Sequence, residues 1–319
     1  MARKVSGVLA VAGGVVLAAS LLGFLGSLAW WLDLLANFKL QFAILLGVLG
    51  IALMVMGRTA AAAAVLAGAL LNAAVIAPLY YRSPADPAVD GPEVTLASFN
   101  IQIGNRLPRL TWVLEDDPDL VFLFETARVH FDELEEHVPG YEVISGIFDT
   151  RDYGATVLAK EPVAVELLEL ARRAGDAVRV ELPVGDGIVV VYGIHPPSPI
   201  NARDARFRDE LLAEVGRLVA AETEPVIVIG DLNATPWSEG FRLLTGPADL
   251  ANSQEGFGYA ASWPARLPPF GRIPIDHALH SRDLTVTDRE LGPGTAASDH
   301  RPLRVTFTTA ATNGATSPS

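Results

Sequence analysis

The sequence predicts an α/β domain, with sheet packed on sheet and helices outside, behind an apolar N-terminal anchor. Three observations predict it. Residues 5–32, 40–56 and 60–79 carry no Asp, Glu, Lys or Arg. From Glu93 to Phe307 the chain breaks into short β-branched or apolar runs bounded by Gly, Pro or Asp. Few segments between those runs show helical spacing, which favours two packed sheets over a helical bundle.

The anchor comes first. At about 1.5 Å per residue, each uncharged stretch is long enough, or nearly so, to cross a hydrocarbon core of about 30 Å. The breaks at Asp33–Lys39 and at Gly57–Arg58 read as short polar hairpins, giving three spans within residues 1–82. Arg3, Lys4 and Arg58 favour a cytoplasmic N-terminus, with Trp30, Trp31, Tyr80 and Tyr81 as an aromatic belt at the outer interface. Lys39 and Arg82 oppose that bias. Three spans place the C-terminal domain outside the cytoplasm, on a chain integral to the cell (plasma) membrane. The proline-rich stretch 83–92 reads as an extended linker, and 308–319 as a disordered tail after a domain at 93–307.

Within the domain, strands are expected at Glu93–Phe99, Leu120–Phe124, Tyr141–Ser145, Ala155–Ala159, Val163–Leu170 and Val178–Leu182. Further runs follow at Ile188–Ile194, Val226–Ile229, Ile275–His280, Leu284–Thr287 and Leu303–Phe307. Helical spacing appears over Leu107–Glu115 and over Ala202–Ala221, where Phe207, Leu211, Leu212, Val215 and Leu218 form one stripe. A shorter helix is expected over Ser238–Leu244.

Composition narrows the chemistry. After Arg82 the chain has 19 basic and 36 acidic residues. That balance disfavours non-specific nucleic-acid binding, which relies on a surplus of Lys and Arg. Cysteine is absent, so any metal must be held by oxygen or imidazole. Nothing in the sequence sets an oligomeric state.

Polar side chains close the apolar runs: Asn100, Glu125, His195, Asp231, Asn233, Asp276, Asp299 and His300. In Val226-Ile-Val-Ile-Gly-Asp231-Leu-Asn233, side chains two apart point the same way, so a carboxylate and a carboxamide emerge together. An Asp that takes a proton from water and an Asn that donates to phosphate oxygen suit a phosphoester centre. Carboxylates such as Glu125 suit Mg2+ (or Mn2+). His277 and His280 alternate with apolar neighbours and read as structural.

Gly-Asp231-Leu-Asn233, Asp276-His277 and Ser298-Asp299-His300, in this order, resemble the endonuclease/exonuclease/phosphatase superfamily, the metal-dependent hydrolases built like deoxyribonuclease I. The resemblance covers roughly Glu93–Phe307 and implies a four-layer α/β/β/α sandwich, a deoxyribonuclease-I-like fold. It implies Glu125 as the main metal ligand, assisted by Asp299, and Asn100 orienting a catalytic side chain. His195 would contact the scissile phosphate, Asp231 would align or deprotonate the water, and Asn233 would stabilise the transition state. His300, oriented by Asp276, would act on the phosphate or as acid/base. The chain departs from many relatives in having Phe124 before the metal glutamate. Its segment Gly256–Pro274 is short, and Trp263, Arg266, Phe270 and Arg272 there are candidates to frame an anionic substrate. The expected function is a membrane-tethered, divalent-metal phosphoester hydrolase, with lipid headgroups or small phosphoesters favoured as substrates. The alternatives are a nuclease and a catalytically inactive membrane-anchored binding module.

Overall fold

The structure is a computed structural model that describes residues 2–81, 91–102, 107, 109–127, 129–148, 153–170 and 173–309. Most of the expected linker and tail lies outside the described residues. Thr308 and Thr309, assigned to the tail, instead complete the last strand.

In chain order the strands are β1 (Glu93–Asn100), β2 (Leu120–Ala127), β3 (Glu142–Phe148), β4 (Tyr153–Ala159), β5 (Ala164–Leu170) and β6 (Arg173–Val184). They continue with β7 (Gly187–Ile194), β8 (Val226–Asp231), β9 (Ala251–Asn252), β10 (Asp276–His280), β11 (Leu284–Leu291) and β12 (Leu303–Thr309). These pair into two six-stranded sheets, ordered β11-β12-β1-β2-β4-β3 and β5-β6-β7-β8-β10-β9. At the middle of each sheet lies a parallel pair, β1 with β2 and β7 with β8. Those strands are covered on both faces, which is why they read as continuous apolar runs rather than as alternation.

Alternate residues of one strand serve two different layers. Leu120, Phe122 and Phe124 of β2 face the other sheet, against Val178, Val191 and Ile229. Val121 and Leu123 face outward, against Leu134 and Val138. Leu134 belongs to α5 (Val129–His137), a helix too short and acidic to stand out in the sequence, and Val138 follows its last turn. On the opposite face, α6 (Ala202–Val219) and α7 (Glu239–Ala248) cover β7 and β8 through Leu211, Leu212, Val215 and Leu244. The result is the expected α/β/β/α sandwich.

The helix expected over Leu107–Glu115 is not formed; the chain turns at 111–116. Arg304 Nη1 donates to the carbonyls of Trp112 and Glu115, so a side chain from β12 replaces the next helical turn. The α6 stripe also needs correction. Leu218 is exposed, and Arg208 is buried in the inner face beside Leu211, Leu212 and Val215.

The N-terminal helices are α1 (Ala2–Leu22), α2 (Trp30–Ala36), α3 (Lys39–Val55) and α4 (Thr59–Ile76). Two stretches, Arg3–Leu28 and Thr59–Tyr80, are long and apolar enough to cross a membrane; α2 with α3, bent by 66°, makes a third only if the pair counts as one span. A turn at Asn37–Phe38 lies within the expected Asp33–Lys39 break, and a further break falls earlier, at the extended Ala29. Packing sets the directions. A Cβ on Gly13 would meet Val65 and Leu53, and one on Gly68 would meet Leu17 and Leu46. Asn72 Nδ2 donates to Ser20 Oγ at 2.6 Å. So α1 and α4 run parallel, with α3 antiparallel between them.

This bundle is docked on the domain rather than merely tied to it. Asp33 Oδ2 pairs with Arg208 Nη2 at 2.7 Å, and Asp33 Oδ1 accepts from the Glu239 backbone N–H at 2.6 Å. Thr235 Oγ1 donates to Asn37 Oδ1, and Trp237 Nε1 donates to the Val75 carbonyl. Gln41 Nε2 donates to the carbonyls of Phe270 and Arg272.

Candidate active site

The ends of β1, β2, β7 and β8 meet at one edge of the sandwich, and each delivers a polar group there. Asn100 closes β1. Its Nδ2 donates to Glu125 Oε1 at 2.9 Å and to Asp231 Oδ2 at 3.0 Å. Its own Oδ1 accepts from the Gln102 N–H.

Glu125 sits where the β2–β4 register shifts, with φ of +58°. That bulge in a left-handed conformation re-aims one side chain out of an otherwise apolar strand, and such strain gathers at functional sites. Phe124, the departure noted above, turns inward; its ring packs between the sheets and lies 5.7 Å from the His195 ring. His195 Nε2 is 3.6 Å from Asp231 Oδ2 and 3.7 Å from Glu125 Oε1.

Asp231 is fully buried at the end of β8. Gly230 before it has φ of +149°, and a Cβ there would lie 2.0 Å from the Ile194 carbonyl oxygen. Only glycine lets β7 and β8 come this close just before their site residues. Asn233 has φ of +48°, and its N–H donates to Asp231 Oδ1 at 2.9 Å. The Asn233 carboxamide donates to the Pro196 carbonyl and accepts from Ser198 Oγ, while Arg208 Nη1 donates to its backbone carbonyl at 3.2 Å.

The third group comes from β10 and the approach to β12. His300 Nδ1 donates to Asp276 Oδ2 at 2.9 Å, and its Nε2 lies 3.5 Å from Asp231 Oδ2. Ser298 Oγ donates to the Asn100 carbonyl at 2.6 Å and accepts from the His300 N–H, locking this turn onto β1. Trp263 Nε1 donates to Asp299 Oδ2 at 2.9 Å. Burial by itself pushes the His300 imidazole down, but the carboxylates of Asp276, Asp231 and Asp299 outweigh it and hold it at about 10. Burial raises the Asp231 carboxyl, against the pull of His300 and His195.

Asn100, Glu125, His195, Asp231, Asn233, Asp276, Asp299 and His300 are therefore gathered in one place. Arg266 and Arg272 are not brought there. Arg266 is exposed, and Arg272 donates to the carbonyls of Leu267 and Ala265, bracing its own loop. His277 is buried against the carbonyls of Ala234 and Pro274, as a structural histidine.

Asp231, Asp276 and His300 offer ligand atoms within 4.8 Å of one another. Asp276 already accepts from the imidazole, so that trio behaves as an ion pair with a second carboxylate. Glu125 and Asp299 also line the cavity, and carboxylates are the ligands that a hard divalent cation takes.

The cavity above these groups has a volume of about 560 Å3. Sequence reasoning missed part of its wall. Ser198 and Ile200 follow His195 on a loop, and Leu34, Asn37 and Phe38 come from the α2–α3 corner. The last three fall in the Asp33–Lys39 break expected between two spans, where no local pattern marks a contact with a distant loop.

The endonuclease/exonuclease/phosphatase family matches residues 97–300. A comparison with curated proteins returns no match. Among solved structures, an endonuclease/exonuclease/phosphatase family protein from Bacteroides thetaiotaomicron is 17% identical, with 69% of this chain and 99% of that one covered at a TM-score of 0.54. The human nocturnin catalytic domain with bound sulfate anion is 16% identical, covering 72% and 100% at 0.54. A family protein from Bacteroides vulgatus is 18% identical, covering 68% and 99% at 0.53. These likenesses show the fold. The family match, over most of the domain, shows that this chain belongs to the endonuclease/exonuclease/phosphatase family of divalent-metal-dependent phosphoester hydrolases.

Proposed function

We propose that the chain is a membrane-held phosphoester hydrolase whose domain lies outside the cytoplasm. The observation that carries this reading is the Asn100 amide, bridging Glu125 on the cation side and Asp231 on the base side of one cavity. Glu125 and Asp299 would hold a Mg2+ or Mn2+ ion, which would supply charge neutralisation for the reacting phosphate.

The chain's own groups do the rest. Asp231, its carboxyl raised by burial, aligns the attacking water and takes its proton. The water oxygen bonds to phosphorus as the bond to the leaving oxygen breaks. His300, kept protonated by Asp276, gives its Nε2 proton to that leaving oxygen. His195 and Asn233 donate to the phosphate oxygens as charge develops, once Asn233 exchanges its contacts with Pro196 and Ser198 for the substrate.

Packing directions support the orientation. Because α1 and α4 run toward the domain, Arg3, Lys4 and Arg58 lie at the remote end of the bundle. Lys39, at the near end, is buried with Nζ 3.3 Å from the Phe24 ring centre and does not act as an exposed interfacial charge. Remote basic residues favour a cytoplasmic remote end.

The test uses the purified full chain in detergent with Mg2+, Mn2+ or chelator. Nitrophenyl phosphate and bis-nitrophenyl phosphate are the probes. Turnover is expected with metal, lowered about 10²–10⁴-fold by Asp231→Asn. Equal turnover by that variant, or none by the native chain with either metal, defeats the reading. A reporter after Ser319 that is active only outside the cytoplasm tests the orientation.

A further inference from the structure

The catalytic cavity is not walled by the domain alone. Its polar floor is Glu125, Asp231, Asn233, Asp299 and His300; its upper wall includes Leu34, Asn37 and Phe38 from the α2–α3 corner. That corner joins two segments of the apolar bundle, so the wall stands where the bundle leaves the bilayer for the domain.

Its position is defined by bonds to the domain on both sides. Asp33 is clamped by Arg208 and by the Glu239 N–H, Asn37 by Thr235, and Gln41 by the carbonyls of Phe270 and Arg272. The rim continues the apolar character. Ile200, which lines the cavity, is 78% exposed. Phe38 itself is 42% exposed. Large apolar side chains left open together around a charged cavity mark the binding of something that is itself part apolar.

From this we infer that the cavity takes a lipid-borne phosphoester, its phosphate on the polar floor and the first part of its hydrocarbon tail along Leu34, Phe38 and Ile200. This rests on the hydrolase reading above and names its substrate class. The substrate enters from the membrane side, past the corner, without leaving the bilayer completely. Net negative charge of the domain is no obstacle to such a substrate, because the lipid is brought to the cavity by its tail rather than by long-range attraction.

The experiment compares matched pairs with the full chain in dodecyl maltoside micelles. Dioleoyl phosphatidic acid is set against glycerol 3-phosphate, and dioleoyl phosphatidylglycerol against glycerophosphoglycerol. At least one lipid is expected to exceed its tail-free partner about 100-fold in kcat/KM. Phe38→Asp, and separately Ile200→Asn on the exposed rim, should lower that lipid-over-soluble ratio tenfold or more. Ile200 is too exposed for its replacement to unfold the domain. Equal use of both members of each pair overturns the inference, as does a ratio unmoved by Ile200→Asn. Nitrophenyl ester turnover without lipid turnover, or cleavage of plasmid DNA in preference to either lipid, also overturns it while leaving the hydrolase reading standing. Loss of turnover on every probe defeats the hydrolase reading instead.

Discussion

Asp33 and Arg208 form a buried ion pair, Oδ2 to Nη2 at 2.7 Å, with each residue only 1% exposed. One partner belongs to the apolar bundle and the other to the inner face of α6. The same guanidinium donates to the Asn233 carbonyl through Nη1, so the pair joins the bundle to the strand end that carries the Asp-x-Asn group. Removing one member of a buried pair leaves the other charge unpaired, which costs about 3–5 kcal/mol. Arg208→Met is therefore expected to lower the unfolding free energy by that amount. In a double-mutant cycle with Asp33→Asn, followed by thermal unfolding of the full chain, the coupling should be about 0.5–3 kcal/mol. Additive losses would mean the contact contributes nothing.

Asp276 acts through His300 rather than on the substrate. Its carboxylate fixes the imidazole through Nδ1, so Asp276→Asn lets the ring take the wrong tautomer. The expected result is a fall in kcat of about 10²–10⁴-fold with KM nearly constant. A rise in KM alone, with kcat unchanged, would assign Asp276 to substrate binding.

Glu125 is the residue whose loss should uncouple metal from stability. An ion that binds only the native state stabilises by about 2.7 kcal/mol at 100 times its dissociation constant. Native chain should show a higher Tm with Mg2+ or Mn2+ than with chelator, and Glu125→Gln should abolish most of that difference. An identical metal-dependent rise in the variant would place the cation elsewhere.

His277 gives a prediction in pH. Burial, then the positive field of Arg289, pushes its imidazole down to about 4. The unfolded chain takes up the proton near pH 6.5, while the folded one resists until about pH 4. Stability from this group is thus complete above pH 6.5 and is lost as pH falls through that window, by up to about 3 kcal/mol. His277→Gln should flatten the slope of unfolding free energy between pH 6.5 and pH 4. An unchanged slope would show that other groups control acid unfolding.

The lengths of the apolar runs and the Gly-Asp231-Leu-Asn233 and Ser298-Asp299-His300 motifs were enough to read the layered α/β domain and its polar residues. Both are local properties: a strand buried on two faces must be continuously apolar, and a strand end can be polar only where the sheet stops. What the tertiary structure decided lies in contacts between distant segments. Nothing in the α6 stripe marked Arg208 as buried, and its buried partner Asp33 lies 175 residues away. Leu34 and Phe38 fell in the break expected between two spans, and the 66° bend between α2 and α3 turns them into a cavity wall. Arg272 looked free to meet an anion, yet its guanidinium is spent on loop carbonyls. A charge or an apolar side chain states what it needs, but only packing chooses the group that meets the need.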